Sequence, residues 1–243
     1  MFNVKTALAT LAVTSVVSVA AQAVPVTYFG EDLGLGEGTA LGATPNADAA
    51  QASFLSGLIN PGVETFEGIA GGTGTPLGIS FANGVTANLT GTGNVTALAE
   101  GVTNGAGRYG VTGDGGQEHY WEVDGAGFTM TFSQPVSAFG FYGIDIGDFS
   151  GQVTVTTVGG LNQVFNVGNT INGAGGGVLF WGVIDAAATF ASVTFGNTNA
   201  GTDIFAFDDF TIGTIEQVRP TPVPASVALV GLGLLLMRRF ARR

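Results

Sequence analysis

The sequence contains no cysteine, a single histidine and only seven lysine and arginine residues among 243. Without cysteine there is neither a disulfide framework nor a thiolate metal site. His119 alone cannot build a zinc site that needs two or three histidines, and no Gly-x-Ser-x-Gly nucleophile motif accompanies it. The composition therefore argues against the common zinc hydrolases and serine hydrolases.

Basic residues are almost missing from the middle of the chain. All 18 acidic residues lie between residues 24 and 219, where Arg108 and Arg219 are the only basic ones. Such an acidic body repels phosphate groups, which excludes nucleic acid as a partner. It attracts cations, and bound cations would relieve its self-repulsion.

The N-terminus has the pattern of a secretory signal peptide. Lys5 precedes an apolar run that ends in Ala21-Gln22-Ala23, and small residues at these two alanine positions fit signal peptidase. We predict a signal peptide over 1–23, cleaved after Ala23, and therefore an exported protein.

The C-terminus has only a short apolar stretch. Residues 225–237 carry no charge and are followed by four arginines. As a helix they would cover about 20 Å at 1.5 Å per residue, less than the ~30 Å hydrocarbon core of a membrane. The arginines would hold the C-terminus in the cytoplasm. We therefore predict a transient inner-membrane anchor that works as a retention signal until a protease processes it.

This tail resembles the PEP-CTERM sorting signal of exported Gram-negative proteins, although the central Pro-Glu-Pro of that family is Pro-Val-Pro here. The resemblance covers 217–243 and implies processing by an exosortase, a membrane cysteine protease. The residues that carry it are Pro222, Val223, Pro224, Ala225, Ser226, Arg238, Arg239, Arg242 and Arg243. Stretches of the body, among them "ETFEGI" and "DIFAFDDFTIG", are similar to ectodomains that carry such tails. That likeness implies a β-sandwich and a link to exopolysaccharide or biofilm.

The body itself has the pattern of an all-β protein. Forty-one glycines without collagen periodicity separate short runs in which apolar and polar residues alternate, such as "FTMTFS". We predict an antiparallel β-sandwich or jelly roll over 45–216, preceded by a Gly-rich arm over 24–44. One short helix is expected after Thr44, because Pro45 suits its first turn and Asn60-Pro61-Gly62 would stop it.

A calcium site is predicted where the first and last strands of the body meet. Glu67 lies in the first predicted strand, "ETFEGI", while Asp208 and Asp209 lie in the last, and carboxylates are ligands that calcium prefers. By strand alternation, Asp208 and Asp209 point to opposite faces unless a β-bulge intervenes. The alternative is that one carboxylate is solvated and the other accepts backbone hydrogen bonds.

Candidate sugar contacts come from aromatic residues and the arginine of the body. Trp121 and Tyr109 could stack on sugar rings, and Arg108 stands beside Tyr109 in a Gly-rich loop. Glu118 and Glu122 would be roughly 13 Å apart on one strand, too far for a glycosidase pair without a carboxylate from another strand.

These observations favour an exported, non-enzymatic module of the cell surface or extracellular matrix. It would bind polysaccharide or contribute structure, with calcium as a structural cofactor. The alternatives are a polysaccharide-active hydrolase, which needs a cleft with two carboxylates, and a passive matrix component.

Overall fold

A computed structural model describes residues 24–124, 127–147, 153–159, 162–197 and 203–220. This described part of the chain is mostly β, with 48% strand and one α-helix, α1 (Pro45–Ser56). The strands are β1 (Val26–Asp32), β2 (Gly62–Glu64), β3 (Leu77–Ser80), β4 (Thr86–Gly91), β5 (Asn94–Ala99), β6 (Gln117–Asp124), β7 (Phe128–Val136), β8 (Ala138–Ile144), β9 (Val153–Val158), β10 (Gln163–Asn166), β11 (Val178–Ile184), β12 (Phe190–Asn197) and β13 (Ile204–Gly213). A short 3₁₀ turn, Ile215–Gln217, follows β13.

The strands form two antiparallel sheets. Sheet A has the order β1-β11-β8-β13-β6-β5, with β2 also paired to β13. Sheet B has the order β10-β9-β12-β7-β4-β3. Residues of both sheets share one buried apolar cluster, which is consistent with the predicted β-sandwich.

Phenylalanines fill the space between the sheets. Phe128 of sheet B stacks on Phe195 at 4.2 Å between ring centroids, and it meets Phe207 of sheet A edge-on at 5.3 Å. The alternation of Phe128, Met130 and Phe132 with polar residues on β7 places these three in the core, as the sequence predicts. Aromatic rings bury a large apolar area each, so this cluster dominates the stability of the sandwich.

Sheet A is covered on its outer face as well. Helix α1 packs there through Ala47, Ala50 and Phe54, in a second apolar cluster with Phe180. Every residue of β8 and β11 is consequently buried. The Phe54 ring fits closely because β8 and β11 have glycine beneath it, where an added Cβ would lie 2.8–3.2 Å from ring atoms.

The predicted helix is confirmed, but its N-terminus is held differently. Thr44 occupies the N-cap position and Pro45 the first turn, yet Thr44 makes no side-chain capping bond. Instead the Asp32 carboxylate at the end of β1 accepts hydrogen bonds from the backbone N–H groups of Asn46 (3.0 Å) and Ala47 (2.9 Å). A carboxylate suits this end of a helix because free N–H groups and the helix dipole favour negative charge.

Two local predictions differ from the structure. The segment 24–44, interpreted as an arm, contains strand β1, which pairs with β11 at the edge of sheet A. The run "ETFEGI" was expected as a strand, but strand β2 ends at Glu64 and Phe66 has a φ of +62°. That turn buries the Phe66 ring against Trp121 and Phe210, so core packing overrides the alternating pattern.

The predicted signal peptide, with Ala21 and Ala23, lies outside the described residues, and so does the tail from 221 onward. Among the residues that the structure does describe, no helix has the length and apolarity needed to cross a bilayer.

Candidate functional site: an acidic pocket beside helix α1

The two aspartates of β13 reach the same loop because the strand is irregular. The β13–β8 register shifts between Asp208 and Thr211, and Asp209 has a φ of +48°. The backbone N–H of Thr112 donates to Asp208 and its hydroxyl donates to Asp209 (3.0 Å). The bulge that the sequence analysis required for such an arrangement is therefore present.

Asp208 is a fully buried anchor for this loop. Its Oδ2 accepts hydrogen bonds from the N–H groups of Val111 (2.8 Å) and Thr112 (3.2 Å), and its Oδ1 accepts one from Asp209 (2.7 Å). Burial, followed by the negative charge of Asp209, raises the pKa of Asp208 well above its usual range, although these N–H groups act against the shift. Both oxygens are thus committed to backbone groups.

Asp209 is also buried but less well satisfied. Burial raises its pKa to about 6, and the nearby charge of Glu67 adds to the shift, while Thr112 and Gln51 lower it. Its Oδ1 has no hydrogen-bond partner. An unpartnered buried carboxylate oxygen is costly, so a donor or a proton at this position would be stabilising.

Glu67 completes the predicted calcium trio from the turn after β2. Its Oε1 accepts the backbone N–H of His119 at 2.8 Å, whereas its Oε2 is buried without a hydrogen-bond partner. Glu67 is thus near enough to Asp209 for its charge to affect that residue, whereas only Asp208 and Asp209 bind the 110–112 loop. Within the described part of the chain, however, no group of three or more His, Cys, Asp or Glu side chains is arranged to hold a metal ion. Calcium at Glu67, Asp208 and Asp209 stays a prediction, and it would need backbone carbonyls or water as further ligands.

An open pocket of about 400 Å³ lies against this cluster, between α1, the 40–44 segment and the 109–112 loop. We call it the acidic pocket because three of its lining residues are carboxylates and none is basic. The lining residues are Ala40, Leu41, Gly42, Ala43, Thr44, Asp48, Gln51, Gly101, Tyr109, Gly110, Val111, Thr112, Glu118, Tyr142 and Asp209. Its volume lies in the range of small-molecule sites.

Glu118 contributes to the pocket from β6. Its Oε1 accepts the N–H of Gly101 at 2.8 Å, and its buried Oε2 has no hydrogen-bond partner. Burial raises the pKa of Glu118, and the charges of Glu100 and Glu67 add to the shift. Glu118 of β6 and Asp209 of β13 thus line the same pocket. Asp209 is therefore a carboxylate from another strand, which the sequence alone could not place beside Glu118.

Two tyrosines brace the walls of the pocket. The Tyr109 hydroxyl accepts the N–H of Leu41 (3.0 Å) and donates to the carbonyl of Gly176 (3.0 Å), and burial raises its pKa to about 12. The Tyr142 hydroxyl donates to Asp48 at 2.9 Å. Both rings are almost completely buried, so the tyrosines shape the pocket rather than offer an open stacking surface.

The predicted sugar contacts have different outcomes. Trp121 is fully buried between the sheets, so its predicted stacking role is wrong. Trp121 and Tyr120, neighbours on β6, belong to the apolar clusters on opposite faces of sheet A, as strand alternation predicts. Arg108 pairs with Glu122 at 3.0 Å and lies 3.7 Å from Asp145, outside the pocket lining. Tyr109 does line the pocket, and its contact with a sugar stays a prediction.

Sequence reasoning missed two features of the pocket. Asp48 was not singled out as a site residue, and the 40–44 segment was interpreted only as part of an arm. Both enter the site because Asp32 and Tyr109 fix the start of α1 and the preceding segment. No local motif signals such long-range bonds.

The comparisons with known proteins assign this chain to no family. No family model and no curated protein matches the chain. Among solved structures, a cleaved adhesin domain of Lys-gingipain is similar at 14% identity and a TM-score of 0.38, over 63% of this chain and 97% of that domain. A likeness this distant carries nothing about function.

Proposed function

We propose that this protein is an exported, non-catalytic β-sandwich of the cell surface or extracellular matrix that binds polysaccharide through the acidic pocket. The observation that supports it best is the pocket itself: about 400 Å³ of open space beside two buried carboxylates, each with an oxygen that lacks a hydrogen-bond partner. Sugar hydroxyls are hydrogen-bond donors of the kind that such oxygens need.

The mode of binding follows from which groups are accessible. Both tryptophans of the chain are buried in the core, so recognition by stacking on indole rings is not available. Thr44, Gln51 and Thr112 add amide and hydroxyl groups to the carboxylates of the lining. We therefore expect recognition by hydrogen bonds to one or two sugar units.

Delivery to the surface rests on the two ends of the chain. We propose that signal peptidase removes 1–23 and that an exosortase processes the 217–243 tail after a transient stay in the inner membrane. Replacing the four C-terminal arginines by glutamine should prevent retention, so the protein would appear prematurely in the medium. An unchanged processing pattern in a pulse-chase experiment would exclude the sorting role.

The test of binding uses the full chain and exopolysaccharide from its own source, immobilised on a column. We expect retention that is reduced about tenfold in Asp209→Asn and unchanged in Glu216→Gln, which removes an exposed carboxylate outside the pocket. Equal retention of all three proteins would place any binding elsewhere, and no retention would favour the passive matrix role.

A polysaccharide-active hydrolase is the second candidate function. It is favoured by the presence of two carboxyl groups with raised pKa, Asp209 and Glu118, in one pocket, since glycoside hydrolysis uses a pair of carboxyl groups. The same column fractions distinguish it from binding: new reducing ends that require both Glu118 and Asp209 would establish hydrolysis.

A further inference from the structure

We propose that the ligand of the acidic pocket carries a protonated primary amine, as in the amino-sugar units of a de-N-acetylated polysaccharide. This inference rests on the proposed function and adds the chemical class of the ligand. It would separate this protein from modules that bind neutral or uronic-acid polymers.

The first argument is the charge of the pocket. Asp48, Glu118 and Asp209 line it, and no lysine, arginine or histidine belongs to the lining. Asp208 and Glu67 are close enough to Asp209 to interact with it electrostatically. A uronic-acid carboxylate entering this space would meet like charges at close range and lose its hydration. Acidic sugars are therefore disfavoured there.

The second argument is that, within the described part of the chain, no basic side chain reaches the pocket. Between residues 24 and 219 the basic residues are Arg108 and Arg219. The guanidinium of Arg108 is engaged with Glu122 and Asp145, and that of Arg219 donates to the carbonyl of Leu58. The Nδ1 atom of His119 forms a hydrogen bond with the carbonyl oxygen of Ile69. The charge of the pocket carboxylates is therefore compensated by protons or by a cation from outside the described residues.

The third argument is the state of the carboxylate oxygens. Glu118 and Asp209 are 6% and 8% exposed, and Glu118 Oε2 and Asp209 Oδ1 have no hydrogen-bond partner. An ammonium group offers three donors and a positive charge, so it supplies both the missing hydrogen bonds and the missing counter-charge. A neutral hydroxyl satisfies only the hydrogen bond.

The fourth argument distinguishes a molecular cation from a metal ion. Direct metal ligation needs several oxygens within about 2.3–2.6 Å of one point for calcium. Among the described residues no trio of acidic or histidine side chains is arranged in that way. A pocket of about 400 Å³ instead accommodates an ammonium group together with the sugar ring that carries it.

The test is isothermal titration calorimetry of the full chain at neutral pH with three matched disaccharides. These are β-1,4-linked glucosamine, its N,N′-diacetyl form and the glucose equivalent, cellobiose. We expect the amine form to bind at least about tenfold more tightly than the other two. Asp209→Asn and Glu118→Gln should each reduce this preference, whereas Glu216→Gln should retain it.

Several results would overturn the inference, and they separate it from the proposed function. Equal affinity for the three disaccharides would refute the amine and leave polysaccharide binding intact. Absence of binding to any of them and to the native polymer would refute both. If 1,4-diaminobutane bound as tightly as the glucosamine disaccharide, the sugar would contribute nothing. A preference that survives in both pocket variants would mean that the amine binds elsewhere.

Discussion

At the scale of single residues, Asp208 and Asp209 are neighbours with different roles. Asp208 has both oxygens occupied by backbone N–H groups, while Asp209 has one oxygen free of hydrogen bonds. The first therefore holds the 110–112 loop on β13, and the second lines the acidic pocket with a buried oxygen that lacks a hydrogen-bond partner.

Replacement of Asp208 should test its anchoring role. Asp208→Ala removes the acceptor for three N–H groups and should lower the free energy of unfolding by about 2–4 kcal/mol. Asp208→Asn keeps one acceptor oxygen and resembles the protonated acid, so it should cost less. Urea denaturation of both variants measures the difference; equal losses would show that the contacts of Asp208 are not what holds the loop.

Asp209 should make stability depend on pH. Its pKa in the folded protein, about 6, exceeds the usual 3.8, so the folded state holds this proton more tightly than the unfolded state. The resulting stabilisation is complete below the usual pKa and is lost as the pH rises through about 6. We expect the free energy of unfolding to fall between about pH 4 and pH 7, with a smaller fall in Asp209→Asn. Identical pH profiles would contradict the buried position of this carboxylate.

At the scale of elements, helix α1 depends on strand β1. The backbone of the helix passes so close to Gly30 that an added Cβ would lie 2.1 Å from the carbonyl oxygen of Asn46. Asp32, two residues further along, binds the first N–H groups of the same helix. The start of the helix, and with it Thr44 and Asp48 of the pocket, is therefore positioned by an edge strand.

Gly30→Ala should displace the helix from the sheet. We expect a loss of about 1–3 kcal/mol in the free energy of unfolding, because backbone atoms of α1 must move. The matched control is Gly78→Ala on β3, where an added Cβ has nothing within 4 Å and the change should stay within about 0.5 kcal/mol. Similar losses in the two variants would show that strand propensity, not the helix contact, sets the cost.

Much of the β structure could be predicted from the sequence because each strand encodes its buried face locally. The alternation around Phe128, Met130 and Phe132, and the apolar run of β11, predict buried strands whatever their neighbours. Strand β1 could not be found in this way, because its place depends on pairing with β11, about 150 residues later. The site was partly predictable: Asp208, Asp209 and Glu118 stand out by residue type, but their shared pocket depends on the bulge in β13.

At the scale of the whole molecule, the excess of acidic residues should make stability respond to cations. If calcium binds at Glu67 and Asp209, a concentration of 100 times its dissociation constant adds about 2.7 kcal/mol. Calcium bound there would raise the melting temperature beyond the rise in sodium chloride at equal ionic strength, and this extra rise would be abolished in Glu67→Gln and kept in Glu216→Gln. A rise that persists in Glu67→Gln would mean that calcium only screens the overall charge.

The two ends of the described chain meet at one corner of the sandwich. Val24, Val26, Gly57, Val218 and Arg219 line a small cleft there, and the N–H of Arg219 donates to the carbonyl of Gly57 at 2.8 Å. Gly57 closes the C-terminal end of α1, whereas the helix residues that line the acidic pocket, Asp48 and Gln51, lie in its N-terminal half, at least about 9 Å away at 1.5 Å per residue. A dye or fusion partner attached at Val24 or Arg219 would therefore lie beside the C-terminal end of α1, and neither residue belongs to the pocket lining.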